Sequence, residues 1–428
     1  MLAASCAGQS TVVAEPASAL APVAPPTENP TPRATELPAP TDPPVEPTVA
    51  SAPDPTATPT AAPPSPTATV EPVETDNTPV VVQGDGWAVT QSKIEELTRF
   101  TEEAHELEFT GEVRVVVSED IGVEFAAGFE PLTNDDWYLM RGLGLADQQA
   151  DRLAANQVRL DRIRGACCQF DDLLQVAVEV QPTQLGTEAI IVHELTHALH
   201  VQHRALFDRD PPPTDETPPP PAAAYEGVPQ YIAFAYIATG SAEAQAALAD
   251  DLPIIRNDML DLIEVGPARH LNFAYDAGPN FVQAVVEVRG VSGLSELLRT
   301  PPTTTEQVLF PQKYLDEEAA LDVSTPAVPD GTIVRSQGTI GASMLMVATT
   351  DYLGADAAQE VVAAWAGDRY VTYEIDGGLC LSAAITLDDE ASAQLLGEAL
   401  AESASPWLET VSVELDGTSL TLDTCQPR

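Results

Sequence analysis

The sequence predicts an α+β fold: a mostly helical core with a small sheet, followed by a small C-terminal α/β domain. Three observations predict it. Apolar residues recur at helical spacing over residues 91–107 and crowd residues 190–199. Short β-branched runs at 112–117 and 174–180 fall between those helices, the second alternating with period two. Beyond residue 333, helical stretches give way to alternating segments broken by Asp-Gly turns.

Residues 1–84 stand apart from this core. Cys6 follows Leu2-Ala3-Ala4-Ser5, a truncated lipoprotein-signal-like start, which makes Cys6 the expected site of a lipid anchor. From residue 7 to about 80 the chain is rich in Pro and Thr, as in Pro55-Thr56-Ala57-Thr58-Pro59-Thr60. Proline removes hydrogen-bond donors and holds the backbone extended, so this tract reads as a disordered tether.

The first folded domain is expected over 85–330. Ile94, Leu97 and Phe100, with Ala104 and Leu107, mark a helix, and Glu112 to Val117 a strand, with Val123 to Phe125 as its expected continuation. A helix is expected over roughly 136–163, then a strand from Leu174 to Val180 that Pro182 ends. Thr187 is the expected N-cap of the next helix.

The second domain is expected over 331–428. Helices at 343–353 and 355–365 precede strands at 370–374 and 379–385, joined by Asp376-Gly377-Gly378. A helix over 391–401 and a hairpin of 411–415 with 420–422, turning at Asp416-Gly417, complete it. Cys380 and Cys425 are the expected disulfide, which implies an oxidising compartment. The adjacent pair Cys167 and Cys168 is left open between a mutual bridge, other partners and free thiols.

Composition narrows the partners. The formal net charge is −47, and the only lysines are Lys93 and Lys313. Such a surface repels phosphate backbones, so nucleic acid is not an expected partner. No run of about twenty apolar residues occurs, so contact with a membrane is expected only through Cys6.

The chemistry gathers in Ile190-Ile191-Val192-His193-Glu194-Leu195-Thr196-His197-Ala198-Leu199. Four residues bring an α-helix almost full circle, so His193 and His197 leave one face and can converge on one cation. Glu194, beside the first histidine, can serve as general base on water activated by that cation. A structural metal site has no need of that carboxylate. The apolar residues around the motif separate it from a surface helix that carries two histidines by chance.

A catalytic zinc takes three protein ligands and keeps one position open. Two residues compete for the third place. His203 stands ten residues after His193, but position 200 is His200 rather than a glycine that would turn the chain. On a continuous helix His203 lies about 15 Å along the axis from His193. Glu226, in Ala224-Tyr225-Glu226-Gly227, follows a proline-rich segment and can return from a second helix. Helix geometry favours Glu226 and leaves His200 and His203 as helix-face groups or supports behind the ligands. Tyr275 and Tyr231 are candidates to stabilise a developing oxyanion, and Tyr314 is expected to pack in the core.

The motif and its flanks resemble the zincin metallopeptidases, with Glu226 in the place of a gluzincin ligand. Phe273-Ala274-Tyr275-Asp276-Ala277-Gly278, Phe281-Val282, Pro301 to Leu309 and Pro311 to Tyr314 follow in order. Together these are similar to a group of poorly characterised bacterial secreted or lipid-anchored proteins. The resemblance covers roughly 90–320 and is looser beyond 330, where Trp365 to Tyr370 is the best match. It implies a zincin-like core with Zn2+ on His193, His197 and Glu226, an edge strand that receives substrate, and peptide or protein substrates cleaved at the cell surface or outside the cell. The competing class is an envelope binding module that keeps the fold without turnover.

Overall fold

A computed structural model describes residues 79–82, 88–118, 133–146, 164–167, 174–204, 215–249, 273–402 and 405–427. Cys6, the Pro/Thr tract, the strand expected at 123–125, most of the helix expected at 136–163, and Cys168 lie outside the described residues. Residues 71–428 belong to one compact unit. Its described elements are a mixture of helix and strand, with a small sheet beside the helices of the first half.

Strand β1 (Pro79–Val82) pairs antiparallel with β2 (Ala88–Thr90), which runs into α1 (Gln91–His105). Thr90 caps α1 by accepting from the Lys93 amide at 3.2 Å. After β3 (Arg114–Ser118), helix α2 (Asn134–Gly142) opens on a capping box between Thr133 and Asp136. Strands β4 (Gly165–Cys167) and β5 (Gln175–Glu179) complete a three-stranded sheet of order β3–β5–β4. The central β5 runs parallel to β3 and antiparallel to β4, and Val176, Ala177 and Val178 are all buried.

The motif helix, α3 (Gln184–Gln202), starts earlier than expected. Thr183 is its N-cap, accepting from the Gly186 amide at 3.2 Å. Thr187 instead sits one turn inside, where its buried hydroxyl accepts from the Gln181 amide at 2.9 Å. Ile191, Val192, Leu195, Ala198 and Leu199 are fully buried, which explains why this stretch is apolar on most of its circumference. Helix α4 (Ala222–Thr239) packs along α3. The short α5 (Phe273–Asp276) and α6 (Gly278–Arg289) follow, then α7 (Ser292–Arg299), α8 (Thr305–Leu309) and α9 (Pro311–Leu315). Thr304 caps α8 by accepting from the Gln307 amide at 3.1 Å; the Thr305 hydroxyl accepts from the Ser343 amide at 3.1 Å. Tyr314 packs as expected, its ring edge-on to Phe281 and its hydroxyl donating to the Thr300 carbonyl at 2.7 Å.

Strand β6 (Ile333–Gly338), helices α10 (Gly341–Leu353) and α11 (Ala355–Val362), β7 (Trp365–Ile375), β8 (Gly378–Leu387), α12 (Glu390–Glu402), β9 (Thr410–Asp416) and β10 (Ser419–Cys425) form the last part. The strands make an antiparallel sheet of order β6–β7–β8–β10–β9. Helix α11 stops at Val362 rather than 365, because Trp365 already pairs with Leu387 as the start of β7. The expected turns at Asp376-Gly377 and Asp416-Gly417 are present, and Asp376, Gly377 and Gly417 all have positive φ. Cys380 and Cys425 are bonded across directly opposed positions of β8 and β10.

Two apolar cores result, and the second takes in a segment from the first half of the chain. The first holds α1, β3, β5 and α3 to α9. The second holds the five-stranded sheet and its helices, but also Trp137 to Ala146 from the first half of the chain. Polar contacts fix that insertion: Thr424 donates to the Gly142 carbonyl at 2.5 Å, and Gln426 donates to the Ala146 carbonyl at 3.0 Å. The segment just before α4 is tied to the same region. Glu216 accepts from the Thr305 amide at 2.9 Å, and Asp215 accepts from Thr339 at 2.8 Å. The C-terminal part thereby anchors the approach to the helix that carries Glu226.

Candidate metal centre

His193 and His197 lie one turn apart on α3, on the side that faces α4. Glu226 meets them from the second turn of α4. The His193 Nε2 to His197 Nε2 distance is 3.1 Å, and Glu226 Oε2 lies 3.5 Å and 3.3 Å from those two nitrogens. His203 takes no part. Helix α3 continues through position 200 to Gln202, and His203 Nε2 donates to the Glu108 carbonyl at 2.7 Å. Gln202 accepts from the amides of Thr110 and Gly111 at 2.6 and 3.0 Å. Together these side chains clamp the loop after α1 to the end of α3.

The helices are brought this close by glycine. A β-carbon on Gly227 would lie 2.7 Å from the carbonyl carbon of Gly278, and one on Gly278 would lie 2.7 Å from the Ala223 carbonyl oxygen. The backbones of α4 and α6 therefore touch beside Glu226. That contact delivers α5 to the site, where the Tyr275 ring stacks on His193 at 6.3 Å between centroids and 26° between planes. Tyr231, the other tyrosine considered from sequence, is half-buried against the first core.

Glu194 is buried at 6% exposure. It points toward β4: a β-carbon on Gly165 would stand 2.5 Å from Glu194 Oε1 and 2.7 Å from Ile190 Cγ2. Glycine at 165 leaves the space that this carboxylate fills. Sequence reasoning missed Gly165, since three residues of Gly-Ala-Cys carry no periodicity. Cys167, at the end of β4, is disulfide-bonded.

Charge is distributed unevenly over the cluster. Burial raises the pKa of Glu194, while His193 and His197 oppose that rise. Burial would lower His197, yet the Glu226 carboxylate and, behind it, Glu194 push it up to about 9. Burial would likewise raise Glu226, but His197 and His193 hold it well below the usual carboxylate range.

These three side chains could hold a metal ion. Glu226 Oε2 is buried and makes no well-aligned hydrogen bond; its nearest neighbours are the two imidazole nitrogens at 3.5 and 3.3 Å, and a cation held between the three would satisfy it. Ligands about 2.0–2.1 Å from a tetrahedral ion stand about 3.3–3.4 Å from one another. The observed edges of 3.1, 3.3 and 3.5 Å fit such a triangle.

No helix among the described residues is long and apolar enough to cross a membrane. No protein-family model, curated protein or solved structure matches the chain.

Proposed function

We propose that the protein is a zinc-dependent peptidase of the gluzincin kind, acting on peptides or proteins at the bacterial cell surface or outside the cell. The observation that carries this reading is the triangle of His193, His197 and Glu226 with a buried glutamate, Glu194, next to the first ligand in sequence. Two imidazoles and one carboxylate suit zinc over harder cations, and three ligands leave a position open for reaction. Bound there, zinc supplies Lewis-acid polarisation of a scissile carbonyl and activation of water.

The chain's own residues supply the rest. Glu194 takes the proton from the attacking water and passes it to the leaving amine. Gly165 gives its carboxylate room, and the surrounding apolar side chains of α3 restrict water around it. Among the described residues, strand β4 is an edge of its sheet, and it lies against Glu194. An extended peptide added to that edge would carry its backbone past the carboxylate. Tyr275, stacked on His193, is the better placed of the two tyrosines to meet the oxyanion.

Metal analysis of the purified full chain, with cleavage of a broad peptide library, tests the reading. Wild type is expected to carry one tightly held zinc and to cleave. Glu226→Ala is expected to lose that zinc. Glu194→Gln is expected to keep it while turnover falls roughly 10²–10⁴-fold. A wild type that cannot be loaded with zinc at this centre defeats the proposal.

A further inference from the structure

Five of the six histidines, all but His270, are His105, His193, His197, His200 and His203. Four of them form two pairs of nearly the same geometry. His193 and His197 have Nε2 atoms 3.1 Å apart, with rings 4.8 Å between centroids and inclined at 71°. His105 and His200 have Nε2 atoms 2.9 Å apart, with rings 5.0 Å between centroids and inclined at 74°. The first pair belongs to one helix, where spacing alone brings the rings together. The second joins the last residue of α1 to the last full turn of α3, so nothing local dictates its match to the first.

We infer that His105 and His200 form a second metal position, for a divalent transition-metal cation that takes imidazole nitrogen. Zinc and copper(II) are of that class. His105 is 2% exposed, whereas His200 keeps partial access to solvent. Burial draws His105 down to about 4, which leaves its imidazole neutral and a ligand at ordinary pH. With two protein nitrogens and water completing the shell, this position is weaker than the three-ligand centre. It lies close to that centre, since the His197 and His200 rings are 6.4 Å apart. Occupancy would bind the end of α1 to the helix that carries the first two ligands. The assignment does not require that the first centre be catalytic.

The competing account of the pair is a hydrogen bond between two neutral imidazoles. Titration of zinc into metal-free full chain, read by equilibrium dialysis and metal analysis, separates the two. Wild type is expected to take two equivalents, the second more weakly. His105→Gln and His200→Gln are each expected to take only the first, and Glu226→Ala to keep the His105–His200 equivalent. Thermal unfolding of each variant establishes that it is folded. Ring-nitrogen NMR of wild type needs no variant: the second equivalent should shift the Nε2 resonances of His105 and His200. Uptake of one equivalent by wild type overturns the inference. So does a second equivalent that persists in either folded variant, or one that leaves those two ring resonances unmoved.

Discussion

Gly227 and Gly278 meet backbone to backbone, with the Gly278 carbonyl carbon 2.7 Å from where a Gly227 β-carbon would sit. Glu226 immediately precedes this contact, so the separation of α4 and α6 and the aim of the Glu226 carboxylate are set together. Gly227→Ala must push the helices apart, because the opposing atoms are backbone and cannot rotate away. The expected cost is about 1–3 kcal/mol of stability. Zinc affinity is expected to fall roughly 10–100-fold through displacement of Glu226. Thermal unfolding and zinc titration of the variant read both effects; an unchanged affinity would separate the glycine contact from the ligand.

The convergence of His193 and His197 was legible because four-residue spacing on a helix determines a shared face regardless of the rest of the chain. Glu226 was legible at one remove. With His200 where a turn would need glycine, α3 had to continue and carry His203 away, and α3 does run to Gln202. The position of α2 was not legible. An amphipathic segment declares that it has an apolar face, not which core receives it, and Trp137 to Ala146 pack in the second core. Strand β4 was hidden for a related reason: three residues acquire strand geometry from pairing with β5, a partner whose register no local pattern encodes.

His203 offers a direct contrast with Glu226. Its Nε2 bond to the Glu108 carbonyl, 2.7 Å long, makes it a clamp on the loop after α1. His203→Gln should therefore leave zinc content at the three-ligand centre unchanged and cost about 0.5–1.5 kcal/mol. Metal analysis beside denaturant unfolding checks the pair of outcomes. Loss of the tightly held zinc would return His203 to the ligand set.

Gly165 tests the proposed role of Glu194 as general base without altering that side chain. A methyl group at 165 would contact Glu194 Oε1 at 2.5 Å and Ile190 Cγ2 at 2.7 Å. The flexible carboxylate is the group that gives way. Gly165→Ala is expected to retain zinc, since neither clash involves a ligand, while peptide cleavage falls on the order of 10²-fold from misplacement of the base. Equal activity in the variant would show that the carboxylate works from a position that does not depend on β4.

Stability should depend on pH through Glu216, a buried carboxyl group that accepts from the Thr305 amide. Burial raises its pKa from an ordinary 4.5 to about 8, against hydrogen bonds from Thr305 and with help from the nearby charges of Asp368 and Asp215. Between those two values the folded protein holds a proton that the unfolded chain has released. The stabilisation is thus complete below about pH 4.5 and is lost as pH rises through about 8. Asp368 and Glu306, raised to about 6 and about 7 mainly by burial, act with the same sign. Denaturant unfolding at pH 5 and pH 8.5 should find the wild type less stable at the higher value, with Glu216 contributing on the order of a few kcal/mol. Glu216→Gln keeps an acceptor for the Thr305 amide but removes the titration, so its loss of stability over the same interval should be smaller. Identical slopes for the two proteins would mean that Glu216 does not hold its proton in the folded state.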